Sequence, residues 1–287
     1  MIPEQSLWFT SQDGLKLHAR RYGNEGGPDV VCLAGLTRNH RDFEGLARHL
    51  AAAGFTVTSF DSRGRGLSEK AHRIEEYTVV NEAQDVLSGL TAFGIEHAGF
   101  IGTSRGGLIM HLLTGMRPTA MHAAVLNDIG PEIEPDGLMQ IKSYLEHAPR
   151  PNDWAEAVAI QKSVHGKAFP ALSDADWERH AHAIYHENEN GQIVASFDAR
   201  IAETLKALKA DTPLANLWPQ FEGFGAKPLM VIRGETSRLL SPRVFDAMIS
   251  QHPGAEAITV SGQGHAPMLD TAGLPEKIAG FLGKALK

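Results

Sequence analysis

A mostly parallel, doubly wound α/β sheet is the fold that this sequence of 287 residues predicts. Short apolar runs recur at residues 30–33, 56–60, 100–101, 123–126, 229–232 and 257–260, as expected of strands covered on both faces. Helical-period stretches separate them, and strand alternating with helix implies parallel pairing through crossovers. No internal repeat or low-complexity tract breaks this order.

The chain opens with residues 7–10 and 15–21, which alternate around Ser11-Gln12-Asp13-Gly14 and predict a β-hairpin. After the next run, Phe43, Leu46, Ala47, Leu50 and Ala51 share one helical face, and Val80, Ala83, Val86, Leu87 and Leu90 do the same before residues 100–101. A further helix is expected at residues 108–116. Strand signals stop between about Pro131 and Ala226. There, Ser173-Asp174-Ala175-Asp176 resembles a capping box ahead of a helix at residues 177–186, and residues 201–208 are amphipathic. The expected organisation is a core of residues 1–130 and 226–287 interrupted by a helical insertion at 131–225, with residues 223–228 as the return hinge. Three tryptophans, Trp154, Trp177 and Trp218, fall in the insertion, where packing is their first expected use.

Hydrophobic residues at 43% and charged residues at 21% suit a globular chain with a sizeable core, so disorder is not expected to dominate. A formal charge of -7 leaves no basic face for a phosphate backbone, which argues against nucleic acid as a partner. The single cysteine, Cys32, lies in an apolar run and cannot form an internal disulfide, in keeping with a reducing cytoplasm. The start lacks a signal-peptide pattern, and no stretch of about 18 apolar residues suggests a membrane span.

Ile101-Gly102-Thr103-Ser104-Arg105-Gly106-Gly107 sets a serine between glycines, after a strand and before a helix. Small flanking residues permit a sharp turn that exposes the hydroxyl at the mouth of the sheet. A serine hydroxyl is a poor nucleophile without a positioned base. His265, in the glycine-rich loop Ser261-Gly262-Gln263-Gly264-His265 after the last strand, can reach the same end of the sheet. Acyl transfer also needs amide donors for the developing oxyanion, and the chain leaving residues 30–33 through Gly35 assigns the amides of Leu36 and Arg105 to that task.

These features resemble the α/β-hydrolase superfamily over nearly the whole length. The hairpin, the loop ending at Asn39, Asp61-Ser62-Arg63-Gly64-Arg65-Gly66-Leu67-Ser68, the turn at Gly102 to Gly106 and Gly264-His265 carry the resemblance. It implies a sheet of about eight strands, a helical cap after the sixth, and a serine triad needing neither cofactor nor metal. Haloalkane dehalogenases and epoxide hydrolases of the superfamily carry aspartate where this chain has Ser104, so those chemistries are disfavoured. One departure stands out. The superfamily usually presents its acid three or four residues beyond a glycine after the seventh strand, and Gly234 is followed there by Ser237 and Arg238. Asp128, after the sixth strand, is the other position from which members supply it and is expected to be the acid. Glu235 is its rival, and a simple turn residue before Gly130-Pro131 is the plain alternative for Asp128.

The expected reaction is hydrolysis of a carboxylic ester or lactone of a small molecule through an acyl-enzyme. The same machinery would serve an activated C–C or amide bond. A non-catalytic receptor for a small ligand, on the same fold, is the alternative from a different class. Arg38, Arg105 and Arg238 neighbour the proposed site, so a negative charge on the substrate is expected; ordinary salt bridges are the plainer reading of all three. Gly64-Arg65-Gly66 fails the dinucleotide fingerprint because Glu69 stands at its last position, and His180, His182 and His186 lack the glutamate of a zinc-protease helix. Residues 187–191 read as an exposed turn.

Overall fold

The computed structural model describes residues 2–147, 149–209 and 211–287, without the side chain of His147. Its first half runs β1 Glu4–Thr10, β2 Lys16–Tyr22, β3 Asp29–Leu33, α1 Glu44–Ala52, β4 Thr56–Phe60, α2 Val79–Ala92, β5 Ala98–Thr103, α3 Arg105–Met116 and β6 Met121–Asn127. Then come α4 Pro135–His147, α5 Trp154–His165, α6 Asp174–Ile184, β7 Tyr185–Glu187, β8 Ile193–Ala195, α7 Arg200–Glu203 and α8 Trp218–Glu222. The chain closes with β9 Leu229–Gly234, α9 Pro242–Gln251, β10 Glu256–Val260 and α10 Leu274–Ala285.

Eight strands make one sheet in the order β1-β2-β4-β3-β5-β6-β9-β10. Only the pairs β1–β2 and β2–β4 are antiparallel. Each of these strands matches a segment expected from the sequence. Successive residues point to opposite faces, and both faces are covered. Val31, Leu33, Phe100, Leu126 and Val231 pack with Leu90 of α2, Leu113 of α3 and Met248 of α9. Val30, Cys32, Ile101, Val125 and Ile232 pack instead with Leu46 and Leu50 of α1 and Ile278 and Leu282 of α10. In β3, β5, β6 and β9 this double burial is why the strands read as apolar runs, and each such side chain contributes roughly 1.5–3 kcal/mol. Residues 257–260 were expected to be covered on both faces too, but β10 is an edge strand and leaves Glu256, Ala257 and Thr259 exposed.

The stretch between β6 and β9 departs from expectation in two places. It contains a small antiparallel ribbon, with Tyr185 opposite Ala195 and Glu187 opposite Ile193. The helix expected at residues 177–186 therefore stops at Ile184, where Tyr185 turns to φ -108°, ψ 161°. Strands of three residues are too short to show alternation. The amphipathic stretch 201–208 is helical only through α7, and single turns continue it to Leu208. The Ser173 cap is as expected: its hydroxyl accepts from the Asp176 amide while the Asp176 carboxylate accepts from the Ser173 amide. Asn39 Nδ2 donates to the Ala183 carbonyl at 2.8 Å, tying this stretch to the sheet. Helices α9 and α10, beyond the loops that follow β9 and β10, add to those expected from the sequence.

His111, on α3 beneath the serine turn, is fully buried and donates from Nδ1 to the Gly107 carbonyl at 2.7 Å. Burial pushes its pKa down to about 4. An unfolded chain binds that proton from about pH 6.5 downward, whereas the folded one resists it until about pH 4. More protons sit on the unfolded state within this window, so the stability contributed by His111 falls as pH drops through it. The parent protein should lose about 3 kcal/mol more than His111→Gln between pH 7 and 4, measured by urea unfolding at each pH. Equal slopes for the two proteins would refute this assignment.

Candidate active site

At the end of β5 the backbone turns sharply at Ser104, which has φ 52° and ψ -115°. Such a conformation costs a non-glycine residue of order 1–3 kcal/mol, so its surroundings must enforce it. The flanking glycines make it possible. A Cβ on Gly106 would sit 2.0 Å from the Leu33 carbonyl oxygen, and one on Gly102 would lie 2.7 Å from the Gly107 nitrogen. The helix α3 begins one residue later, so its positive end faces the hydroxyl.

His265 comes to this hydroxyl from the loop after β10, its Nε2 lying 2.9 Å from Ser104 Oγ. Its Nδ1 lies 2.8 Å from Asp128 Oδ2. A carboxylate can only accept here, so Nδ1 carries the proton and Nε2 is free to accept from the serine. Asp128 follows β6 in a left-handed conformation, φ 54°, and is fully buried. The Gly234 amide donates to its Oδ1 at 2.7 Å, and the Ser237 hydroxyl donates to its Oδ2 at 2.5 Å. Ser237 thus occupies the place after Gly234 where the resemblance led one to look for an acid, and it serves the carboxylate that arrives from β6. Glu235 points elsewhere, accepting from Ser261 Oγ at 2.8 Å and the Gly262 amide at 2.7 Å.

Two residues support the site in roles the sequence did not suggest. Asn127 Nδ2 donates to Thr103 Oγ1 and to the Pro267 carbonyl, both at 3.0 Å, which links β5, β6 and the His265 loop. Ser237 is the other. Neither had a local signal, because each acts on residues distant in sequence.

The proposed oxyanion donors, the amides of Leu36 and Arg105, have no protein acceptor among the described residues. Each sits in a fixed peptide plane. The Gly35 carbonyl, in the peptide that bears the Leu36 N–H, accepts from the Arg38 amide at 3.1 Å, and the Ser104 carbonyl accepts from the Gly107 amide at 2.9 Å.

The arginines divide. Arg38 and Arg238 both line the cavity that contains Ser104 and His265. Arg38 is held by Asp42, with Nε at 2.8 Å from Oδ2. Arg238 is exposed and has no ion-pair partner among the described residues. Arg105 corrects an expectation: its guanidinium turns away to Glu82 and the Tyr77 carbonyl and does not line the cavity. A buried carboxylate within reach outcompetes an open cleft for that cation.

The cavity measures about 1370 Å³ and is roofed by residues from between β6 and β9, among them Tyr144, Trp154, Phe169 and Tyr185. Trp154 stacks on His182 with ring centroids 3.8 Å apart, whereas Trp177 and Trp218 pack away from the cavity. His165 and His180 also line it. Burial, reinforced by the Arg38 charge, pushes His165 down to about 4 and His180 well below the ordinary histidine range. Both are neutral at pH 7, and each offers one donor and one acceptor.

Among the described residues, His18, His40 and Asp61 are the group close enough to share a metal ion. Asp61 already accepts from His18 Nδ1 at 2.8 Å, from His40 Nδ1 at 2.9 Å, and from the amides of His40 at 2.7 Å and Leu67 at 3.0 Å. Its oxygens are occupied by donors, and the ring nitrogens facing it carry protons, so the donor set suits a loop anchor better than a cation.

A family model described as alpha/beta hydrolase fold matches residues 28–272. The crystal structure of an alpha/beta hydrolase from Novosphingobium aromaticivorans superposes with a TM-score of 0.91 at 38% identity, covering 99% of each chain. The 3-hydroxybutyrate-oligomer hydrolase of Cupriavidus necator is 28% identical over 263 residues, 88% of this chain and 88% of its own. The 2-(acetamidomethylene)succinate hydrolase of Mesorhizobium japonicum is 24% identical over 251 residues, 88% of this chain and 85% of its own.

Proposed function

We propose a reaction from one premise: this chain belongs to the alpha/beta hydrolase fold family. The reading is a serine hydrolase that cleaves a carboxylic ester or lactone of a small molecule, with residues 131–225 acting as a cap over the site. The observation that carries it is the unbroken hydrogen-bonded series from Asp128 through His265 to Ser104, opening onto the large cavity.

In this reading Ser104 Oγ attacks the carbonyl carbon while its proton passes to His265 Nε2. Asp128 keeps Nδ1–H in place and stabilises the imidazolium. The tetrahedral oxyanion accepts from the Leu36 and Arg105 amides, which are free to donate. Collapse expels the alcohol, which takes the proton from His265 and leaves an acyl group on Ser104. Water then repeats the sequence and frees the acid. Hydrolysis of p-nitrophenyl butyrate, with stoichiometric labelling of Ser104 by diethyl p-nitrophenyl phosphate, tests the reading. A folded protein that neither turns over the ester nor takes the label ends it.

Arg238 supports a substrate bearing a carboxylate, since it is a cavity cation with no counter-charge among the described residues. Mono-p-nitrophenyl glutarate should exceed the neutral butyrate in kcat/KM by roughly tenfold, as one charge-assisted contact allows, and Arg238→Gln should erase that advantage. Preference for the neutral ester would exclude this role. The similarity to a protein named as a 3-hydroxybutyrate-oligomer hydrolase agrees with an ester carrying a terminal carboxylate. The second similarity, to a 2-(acetamidomethylene)succinate hydrolase, is what favours an amide bond as the second reading.

A further inference from the structure

The residues that present the two proposed oxyanion amides are joined through one buried carboxylate. Glu82, on α2, is fully buried. Its Oε1 accepts from Arg65 Nη1 at 2.7 Å and from Arg105 Nη2 at 3.0 Å, and its Oε2 accepts from Arg105 Nε at 2.5 Å. Arg65, also fully buried, donates from Nε to the Leu36 carbonyl at 2.7 Å and from Nη1 to the Arg63 carbonyl at 2.7 Å. Arg105 Nη2 donates in addition to the Tyr77 carbonyl at 3.0 Å. Both peptide groups around Leu36 are consequently pinned: the Gly35 carbonyl by the turn to Arg38, and the Leu36 carbonyl by Arg65.

We propose that Glu82, Arg65 and the Arg105 side chain are positioning residues, a brace that sets the Leu36 and Arg105 amides at the spacing the tetrahedral intermediate requires. This rests on the serine-hydrolase reading above. The physical reason is that an oxyanion donor is effective only when its direction is fixed before charge develops, and a shift of a few tenths of an ångström weakens it. Each amide belongs to a different element, one on the loop after β3 and one at the start of α3. A single carboxylate gripping a guanidinium from each side ties the two together. Burial by itself would raise the Glu82 pKa, but the Arg105 and Arg65 charges outweigh that and hold it below the ordinary value, so the carboxylate is ionised. Two cations on one anion also leave a net positive charge behind the site, of the sign that favours an oxyanion.

Arg105→Met removes one arm while keeping the backbone amide and the Arg65–Glu82 pair, and Arg105→Lys restores one cation. Both full-length variants are assayed with p-nitrophenyl butyrate. Phenylboronic acid, which forms a tetrahedral adduct on a serine, is titrated as inhibitor. For Arg105→Met, kcat should fall by roughly tenfold to a hundredfold with KM within about threefold, and boronate affinity should weaken by a similar factor. Arg105→Lys should recover a large part of both. A merely structural ion pair would lower Tm while leaving kcat and boronate affinity alone, and that result overturns the brace. So does a fall in kcat with unchanged boronate affinity. Should Arg105→Met not fold, Glu82→Asp, which shortens the shared acceptor by one methylene, is read by the same two measurements. Failure of the parent to take the phosphate label on Ser104 removes the serine-hydrolase reading and the brace together. Labelling with a fully active Arg105→Met removes the brace alone.

Discussion

Ser104→Ala is expected to lower kcat by roughly a millionfold, close to the rate that binding and the oxyanion amides sustain without a nucleophile. Among the described residues no neighbour can replace the hydroxyl, which stands 2.9 Å from the imidazole nitrogen that would take its proton. The fold should survive. Alanine keeps the same backbone requirement at φ 52°, and the change removes one partly exposed hydrogen bond, worth about 1 kcal/mol. Steady-state kinetics with p-nitrophenyl butyrate, beside a thermal melt, give both numbers. Activity within a hundredfold of the parent, in a folded variant, would take Ser104 out of the mechanism.

Asp128→Asn should cost roughly a thousandfold to ten-thousandfold in kcat, while Glu235→Gln should change it by less than about threefold. An asparagine amide facing His265 Nδ1 would donate where the carboxylate accepted. The imidazole would then carry its proton on Nε2, the atom that must receive one from Ser104. Charge is lost as well, so the imidazolium formed during attack has no counterion. Glu235 is bound to Ser261 and the Gly262 amide, and its loss perturbs only the far side of that loop. Kinetics on the two variants, with a pH profile of kcat/KM, decide between the carboxylates. A large loss in Glu235→Gln beside a small one in Asp128→Asn would reverse the assignment. With Asp128 seated 2.8 Å from His265, the absence of an acid after Gly234 lends little support to a non-catalytic receptor.

The succession of strands along the chain, the serine turn and the histidine loop were legible in the amino-acid sequence because each has a local cause. Strands such as Val30 to Leu33 are covered on both faces, which favours apolar residues at every position. A serine at φ 52° needs neighbours without side chains, and Gly102 and Gly106 supply them. These are demands of sterics and burial that act over a few residues. What the tertiary structure alone decided concerns partners far apart in the chain. Asp128 and His265 are separated by 137 positions, and Ser104 and His265 by 161. No periodicity encodes which carboxylate meets that imidazole. The Arg105 side chain is the clearest case: its neighbours in sequence suggested the cleft, but Glu82, 23 positions away on α2, draws it inside. The ribbon β7–β8 escaped notice because three residues are too few to display a period, and its pairing becomes favourable only between the helices that flank it. Local backbone preference and double-sided burial wrote the scaffold into the sequence; the geometry of charged side chains depends on which distant group removes them from water, and only the folded chain determines that.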